Sequence, residues 1–168
     1  MTHSADHFLD WLRDAHAMEL QAISLLRSQI GRIESYPDLK ARLQRHLAET
    51  EAQEQALKAL LDRTPQGSSM LKDITSRLTA AAQGVGTLFS AAEVVKASMT
   101  AYTFEHTEIA TYRVLIAAAD ELGDQEARQV FEQIITEEIA MADWLEAHID
   151  TVTRLYLMRD ERDLQARR

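Results

Sequence analysis

Apolar residues recur at steps of three and four along four long stretches of this chain, and a helical period held over so many turns leaves few folds open. The first stretch carries Leu9, Leu12, Ile23, Leu26, Ile30 and Ile33 and predicts a helix over about residues 5–34. The second, roughly residues 37–63, carries Leu39, Leu43, Leu47, Leu57, Leu60 and Leu61. The third, about 88–122, runs through Val95, Met99, Tyr102, Ile109, Tyr112 and Ile116, and the fourth, about 125–149, through Val130, Ile134, Met141, Leu145 and Ile149. Between the first two, Pro37 breaks the pattern and suits the first turn of the next helix. Between the last two stands Leu122-Gly123-Asp124, where glycine can take a left-handed C-terminal position and aspartate can cap the next helix. Thr64-Pro65-Gln66-Gly67-Ser68-Ser69 is a loop signal, after which residues 70–83 (Met70, Leu71, Ile74, Leu78) predict a short helix ending at Gly84-Val85-Gly86.

Two long helical hairpins joined by a longer connection make an all-α, ferritin-like four-helix bundle, with the short 70–83 helix in the crossover. The alternative is an up-down-up-down bundle with an inserted helix. Composition agrees with all-α: 5 glycines and 2 prolines in 168 residues supply few turns, while 46% hydrophobic residues supply a core. The length suits one domain over 1–168, with a core over 5–150 and a helical tail over 151–168. Absence of cysteine excludes disulfides, thiolate metal sites and cysteine nucleophiles, so any metal must use oxygen or nitrogen ligands. A net charge of -9 argues against a nucleic-acid partner. No apolar run approaches the roughly 20 residues that span a bilayer, and no signal-peptide pattern opens the chain, so the expected setting is the cytoplasm, away from membranes.

The polar residues that interrupt the apolar stripes carry the chemistry. His16 and Glu19 fall on the inward face of the first helix, and His46, Glu49 and Gln53 share a face of the second. Glu105 sits in the series Tyr102, Glu105, Ile109, Tyr112, and Glu138 in the series Ile134, Glu138, Met141, Leu145. Counted from the turns, Glu19 and Glu49 lie roughly 21–24 Å from theirs, and Glu105 and Glu138 roughly 22–27 Å. Four inward carboxylates near one level need compensation, and a pair of hard cations supplies it. A helix rotated by one residue would present Glu108, Glu137 or Glu51 instead, and each glutamate alone has a solvated face as its alternative.

The Glu-x-x-His signature of di-iron bundles is absent. The reverse spacing occurs at His16-Ala17-Met18-Glu19 and His46-Leu47-Ala48-Glu49. His46 is a candidate ligand or partner of one, whereas His16 and His106 read as hydrogen-bonded helix histidines. Tyr102 and Tyr112 read as core packing, with a metal-adjacent role as the alternative; Met99 and Met141 read as filler, and Trp11 and Trp144 as anchors of the bundle ends.

The stretches Asp14-Ala15-His16-Ala17-Met18-Glu19, His46-Leu47-Ala48-Glu49-Thr50, Glu105-His106-Thr107-Glu108-Ile109-Ala110-Thr111-Tyr112 and Glu137-Glu138 resemble the YciE/YciF group of bacterial stress-associated proteins over roughly residues 5–150. The resemblance implies a ferritin-like bundle, a homodimer and a dinuclear centre, with Glu19, Glu49, Glu105, Glu108 and Glu138 at the matching acidic positions. Gln53 stands where the group often has histidine or glutamine, and Ala142 where it often has aspartate. The expectation is a stress-response protein holding two iron or manganese ions that react with dioxygen or peroxide. Glu19 and Glu105 would be terminal ligands and Glu49 and Glu138 bridges, with Gln53, His46 or Glu108 completing the shell. The competing expectation is a non-catalytic helical module for association, with a vestigial or absent metal site.

Overall fold

The computed structural model describes residues 3–64 and 94–162. Four helices account for nearly all of them: α1 His3–Arg32, α2 Pro37–Asp62, α3 Val94–Glu121 and α4 Gln125–Glu161. The expected 70–83 helix and the start of the third helix, residues 88–93, lie outside the described residues.

Local chemistry sets the two tight turns. Pro37 occupies the first turn of α2, where its missing N–H is no loss. Gly123 takes φ +69, and the N–H groups of Gly123 and Asp124 bond back to the carbonyls of Asp120 and Ala119, closing α3 in the double hydrogen-bond pattern that favours glycine there. One residue later the Asp124 carboxylate accepts from the Ala127 N–H at 3.0 Å and opens α4. Arg63, at the end of α2, reaches Asp124 and Glu126 at 2.8 Å each and ties the two hairpins together at this end.

The core falls into two apolar halves. One joins Leu12 and Ala15 of α1, Leu57 and Leu61 of α2, Leu115 and Ala119 of α3, and Phe131 and Ile134 of α4. The other joins Leu26, Leu39, Leu43, Val94, Ala101, Met141 and Leu145. The end of α2 and the end of α3 therefore lie in the same half, so these helices run parallel. That is the ferritin-like arrangement of two hairpins related by a long crossover, and it excludes the up-down-up-down alternative. α1 packs on α2 and α3, and α4 on α3 and α2, leaving α1 diagonal to α4.

Two expectations need correction. The fourth helix does not end near 149: α4 runs unbroken to Glu161, because nothing between Gln125 and Glu161 is glycine or proline, and the helical tail expected from 151 continues it that far. Val152 stays in the core, and Arg159 donates to the Ser35 hydroxyl at 2.9 Å across the α1–α2 turn. On α3 the inward stripe is Val94, Ser98, Ala101, Glu105, Glu108, Tyr112, Leu115 and Ala119, which leaves Met99 56% exposed, outside the core. Trp11 also lies largely outside, stacked on His7, whereas Trp144 packs against the second core half. Among the described residues no helix is long and apolar enough to cross a membrane.

Candidate metal centre

The 3–4 ladder that buries apolar residues towards both ends of each helix buries polar and acidic ones in the middle. Glu19 on α1, Glu105 and Glu108 on α3, and Glu138 on α4 are all at most 3% exposed, and His46 and Gln53 of α2 join them. One ligand atom from each of His46, Glu105, Glu108 and Glu138 lies within 4.8 Å of the others. His46 Nε2 stands 3.2 Å from Glu105 Oε2 and 3.5 Å from Glu138 Oε2, so one nitrogen faces two carboxylates.

Glu19, Glu138 and His46 share a pattern: one atom is held and the other is left open. Tyr112 donates its hydroxyl proton to Glu19 Oε1, leaving Oε2 without a hydrogen bond. Gln53 Nε2 donates to Glu138 Oε1 at 2.6 Å, leaving Glu138 Oε2 and its own Oε1 without one. His46 Nδ1 stands 3.1 Å from Glu49 Oε2, so donation there fixes the tautomer and turns Nε2 inward. Neither oxygen of Glu108 has a hydrogen-bond donor at all.

Such a set strains against ionisation. Burial pushes the Glu19 carboxyl up to about 8, against the hydrogen bond from Tyr112 and the charge of His46. Burial, then the charges of Glu138, Glu19 and Glu105, holds Glu108 well above the usual carboxylate range. Glu138 is raised in the same way, with His46 opposing. Burial alone would lower His46, but the carboxylates of Glu105 and Glu49 outweigh it and carry the imidazole to about 10. Bound cations would relieve Glu19, Glu108 and Glu138, since the open carboxylate oxygens and the His46 nitrogen are donors that iron and manganese accept.

Of the sequence-predicted residues, the fold brings together Glu19, His46, Gln53, Glu105, Glu108 and Glu138. It sets Glu49 apart. The inward ladder of α2 runs Leu43, His46, Thr50, Gln53, Leu57, and Glu49 falls one position short of Thr50. Its side chain is 26% exposed and meets Arg42 at 3.1 Å and Arg45 at 3.9 Å as well as His46. Its carboxyl is held below the usual range by His46 first and then, against partial burial, by Arg42. The reading of the residues missed Glu54, which accepts at 2.7 Å from buried His16; its place one turn after Thr50 on the same stripe was the available signal. Three residues after Glu138, where a di-iron bundle carries histidine, Met141 is wholly buried in the core, as its role of filler requires.

These elements define the class: a four-helix bundle with a carboxylate–histidine cluster buried between its two apolar halves. The family model described as a domain of unknown function, DUF892, matches residues 3–158, and the chain belongs to that family, of YciE/YciF type. A solved protein from Xanthomonas campestris is similar, 31% identical with a TM-score of 0.75, covering 95% of this chain and 99% of its own. YcfI from Rhodopseudomonas palustris is 26% identical, TM-score 0.64, covering 87% and 94%. The E. coli stress protein YciF, 22% identical with a TM-score of 0.69 and covering 89% and 96%, shares the fold.

Proposed function

We propose that this is a carboxylate-bridged metal protein of the bacterial cytoplasm that holds about two iron or manganese ions and uses them against dioxygen or peroxide under stress. The observation that carries the reading is the convergence, between four helices, of open ligand atoms: those of Glu19, Glu138 and His46 have a partner holding the other side, and both oxygens of Glu108 are open. Glu105 and His46 Nε2 would serve one ion, and Glu19 Oε2 and Gln53 Oε1 the other. Glu108, with both oxygens open, and Glu138 would be shared between the ions, and Glu108 would so replace Glu49 in the role expected of it. When bound, the metal pair supplies one-electron redox chemistry at a site shielded from bulk water.

The chain's own groups orient and hold protons. Glu49, itself gripped by Arg42, keeps the His46 proton on Nδ1 so that Nε2 is free to ligate. Tyr112 and Gln53 stop Glu19 and Glu138 from rotating both oxygens away. The reading includes a homodimer, which sedimentation tests through a mass near twice 19.0 kDa.

A second reading, a metal-free module for association, draws on Met141 and Ala142, both buried and neither a ligand of the kind sought. In it the acids are neutralised by protons. Anaerobic loading with Fe(II) or Mn(II), followed by elemental mass spectrometry, separates the two. Saturable binding near two ions per chain, lost in the Glu108→Gln, Glu138→Gln double variant, supports the metal reading; no retained metal in the parent rejects it.

A further inference from the structure

A cleft opens between α1 and α3 and narrows onto the cluster. Leu25, Gln29 and Phe104 form its partly exposed mouth, and the buried side chains of Ala22, Leu26 and Ala101 line its walls. Its floor is His46 and Glu105, whose Oε2 has no hydrogen bond. The opening exists because two small residues occupy ladder positions: Ala22, between Glu19 and Leu26, and Ala101, between Ser98 and Glu105. A longer side chain at either takes up part of that space.

Size and lining restrict the occupant. The free volume is about 280 Å³ including the mouth, but only about 20 Å³ is open to the centre of a water-sized molecule. That is room for one very small molecule, since roughly 10–15 Å³ on this measure admits a single water. A hydrated metal ion does not fit and would be stripped against alkyl walls. Above the floor the polar side chain in the lining is the Gln29 amide, whose Nε2 has no hydrogen bond, and one such group is fewer than the two to four partners that an ordered buried water needs. A second cavity shares Gln29 and Ala101 and extends the apolar space towards Ile33, Leu39 and Leu145; its one hydroxyl, on Ser98, is already spent on the Val94 carbonyl at 2.9 Å.

We infer that this cleft is the entry and docking site for a neutral diatomic molecule of the dioxygen class, delivering it to the His46–Glu105 side of the cluster. The inference rests on the metal reading for its purpose, but not for its geometry. Charged oxidants are disfavoured by the alkyl walls, and the paired cavities give an apolar gas a higher local concentration than water does.

Xenon, an apolar atom that dry cavities bind, tests the docking site in the metal-free protein. Crystals of the parent under xenon pressure should show an atom among Ala22, Leu26 and Ala101, and crystals of Ala101→Leu should not. With Fe(II) loaded anaerobically, oxidation by dioxygen should then slow by about tenfold or more in Ala101→Leu at unchanged iron stoichiometry. Ala22→Val, a smaller change, repeats both arms should the leucine variant fail to fold. An empty cleft in the xenon-pressurised parent overturns the proposal. So does a variant whose cleft is closed yet whose oxidation rate stays within about twofold of the parent. A parent that binds xenon but no iron would reject the metal reading alone.

Discussion

The buried acids make the stability of the metal-free protein fall as pH rises. The Glu19 carboxyl has an ordinary value of 4.5 and is raised to about 8 in the folded chain. Between those values the folded state keeps a proton that the unfolded state has released, so the contribution is complete below 4.5 and lost on the way to 8. At about 1.4 kcal/mol per unit the displacement corresponds to roughly 5 kcal/mol, comparable to the whole stability of many domains. His46 acts in the same direction at higher pH: its ordinary value of 6.5 rises to about 10, so its stabilising contribution fades between the two. Glu19→Gln keeps an acceptor for the Tyr112 hydroxyl but removes the titration. Urea unfolding of chelator-treated protein, followed by circular dichroism from pH 5 to 8, should show the parent losing several kcal/mol. The variant should lose markedly less, and should be the more stable of the two at pH 8. A parent whose stability is level or rises over that window, or a variant with the parent's slope, refutes the reasoning.

Other perturbations have sharper local outcomes. Added Mn(II) should reverse the pH trend, because its ligands bind deprotonated, so the metal-induced rise in melting temperature should grow from pH 6 to 8. Glu49→Gln should leave metal stoichiometry near that of the parent in elemental analysis, whereas Glu138→Gln should lower it. Gly123→Ala should cost about 1 kcal/mol in urea unfolding through the φ of +69 alone, since nothing lies within 4 Å of an added Cβ. Leu115→Ala, at a wholly buried position, should cost about 2–5 kcal/mol by the same assay.

The helices, both described turns and most of the acids were legible because each depends on short-range rules. Glu19, Glu105 and Glu138 interrupt runs whose large neighbours mark the inward face. Harder were the places where inward residues are small or polar. On α3 the true stripe passes through Ser98, Ala101 and Ala119, so Met99 drew the reading to one side while Tyr102 still packs on the second core half, and from spacing Glu108 entered as the result of a rotated helix. On α2 the choice between Glu49 and Thr50 is one residue, within the ambiguity of a face with His46 and Gln53 also on it. The anchoring of Glu19 by Tyr112 and of Glu138 by Gln53 crosses between helices, and no local spacing carries that information. The length of α4 was readable, since its sequence contains no breaker; polar residues near Asp150 masked it.

The most direct measurement is anomalous diffraction from a crystal loaded anaerobically with Mn(II). A buried dinuclear centre predicts strong peaks between the helices, within ligand distance of Glu108 and Glu138, with His46 and Glu105 on one side and Glu19 on the other. Peaks only at carboxylates outside the cluster, such as Glu49, or none at saturating metal, would contradict it.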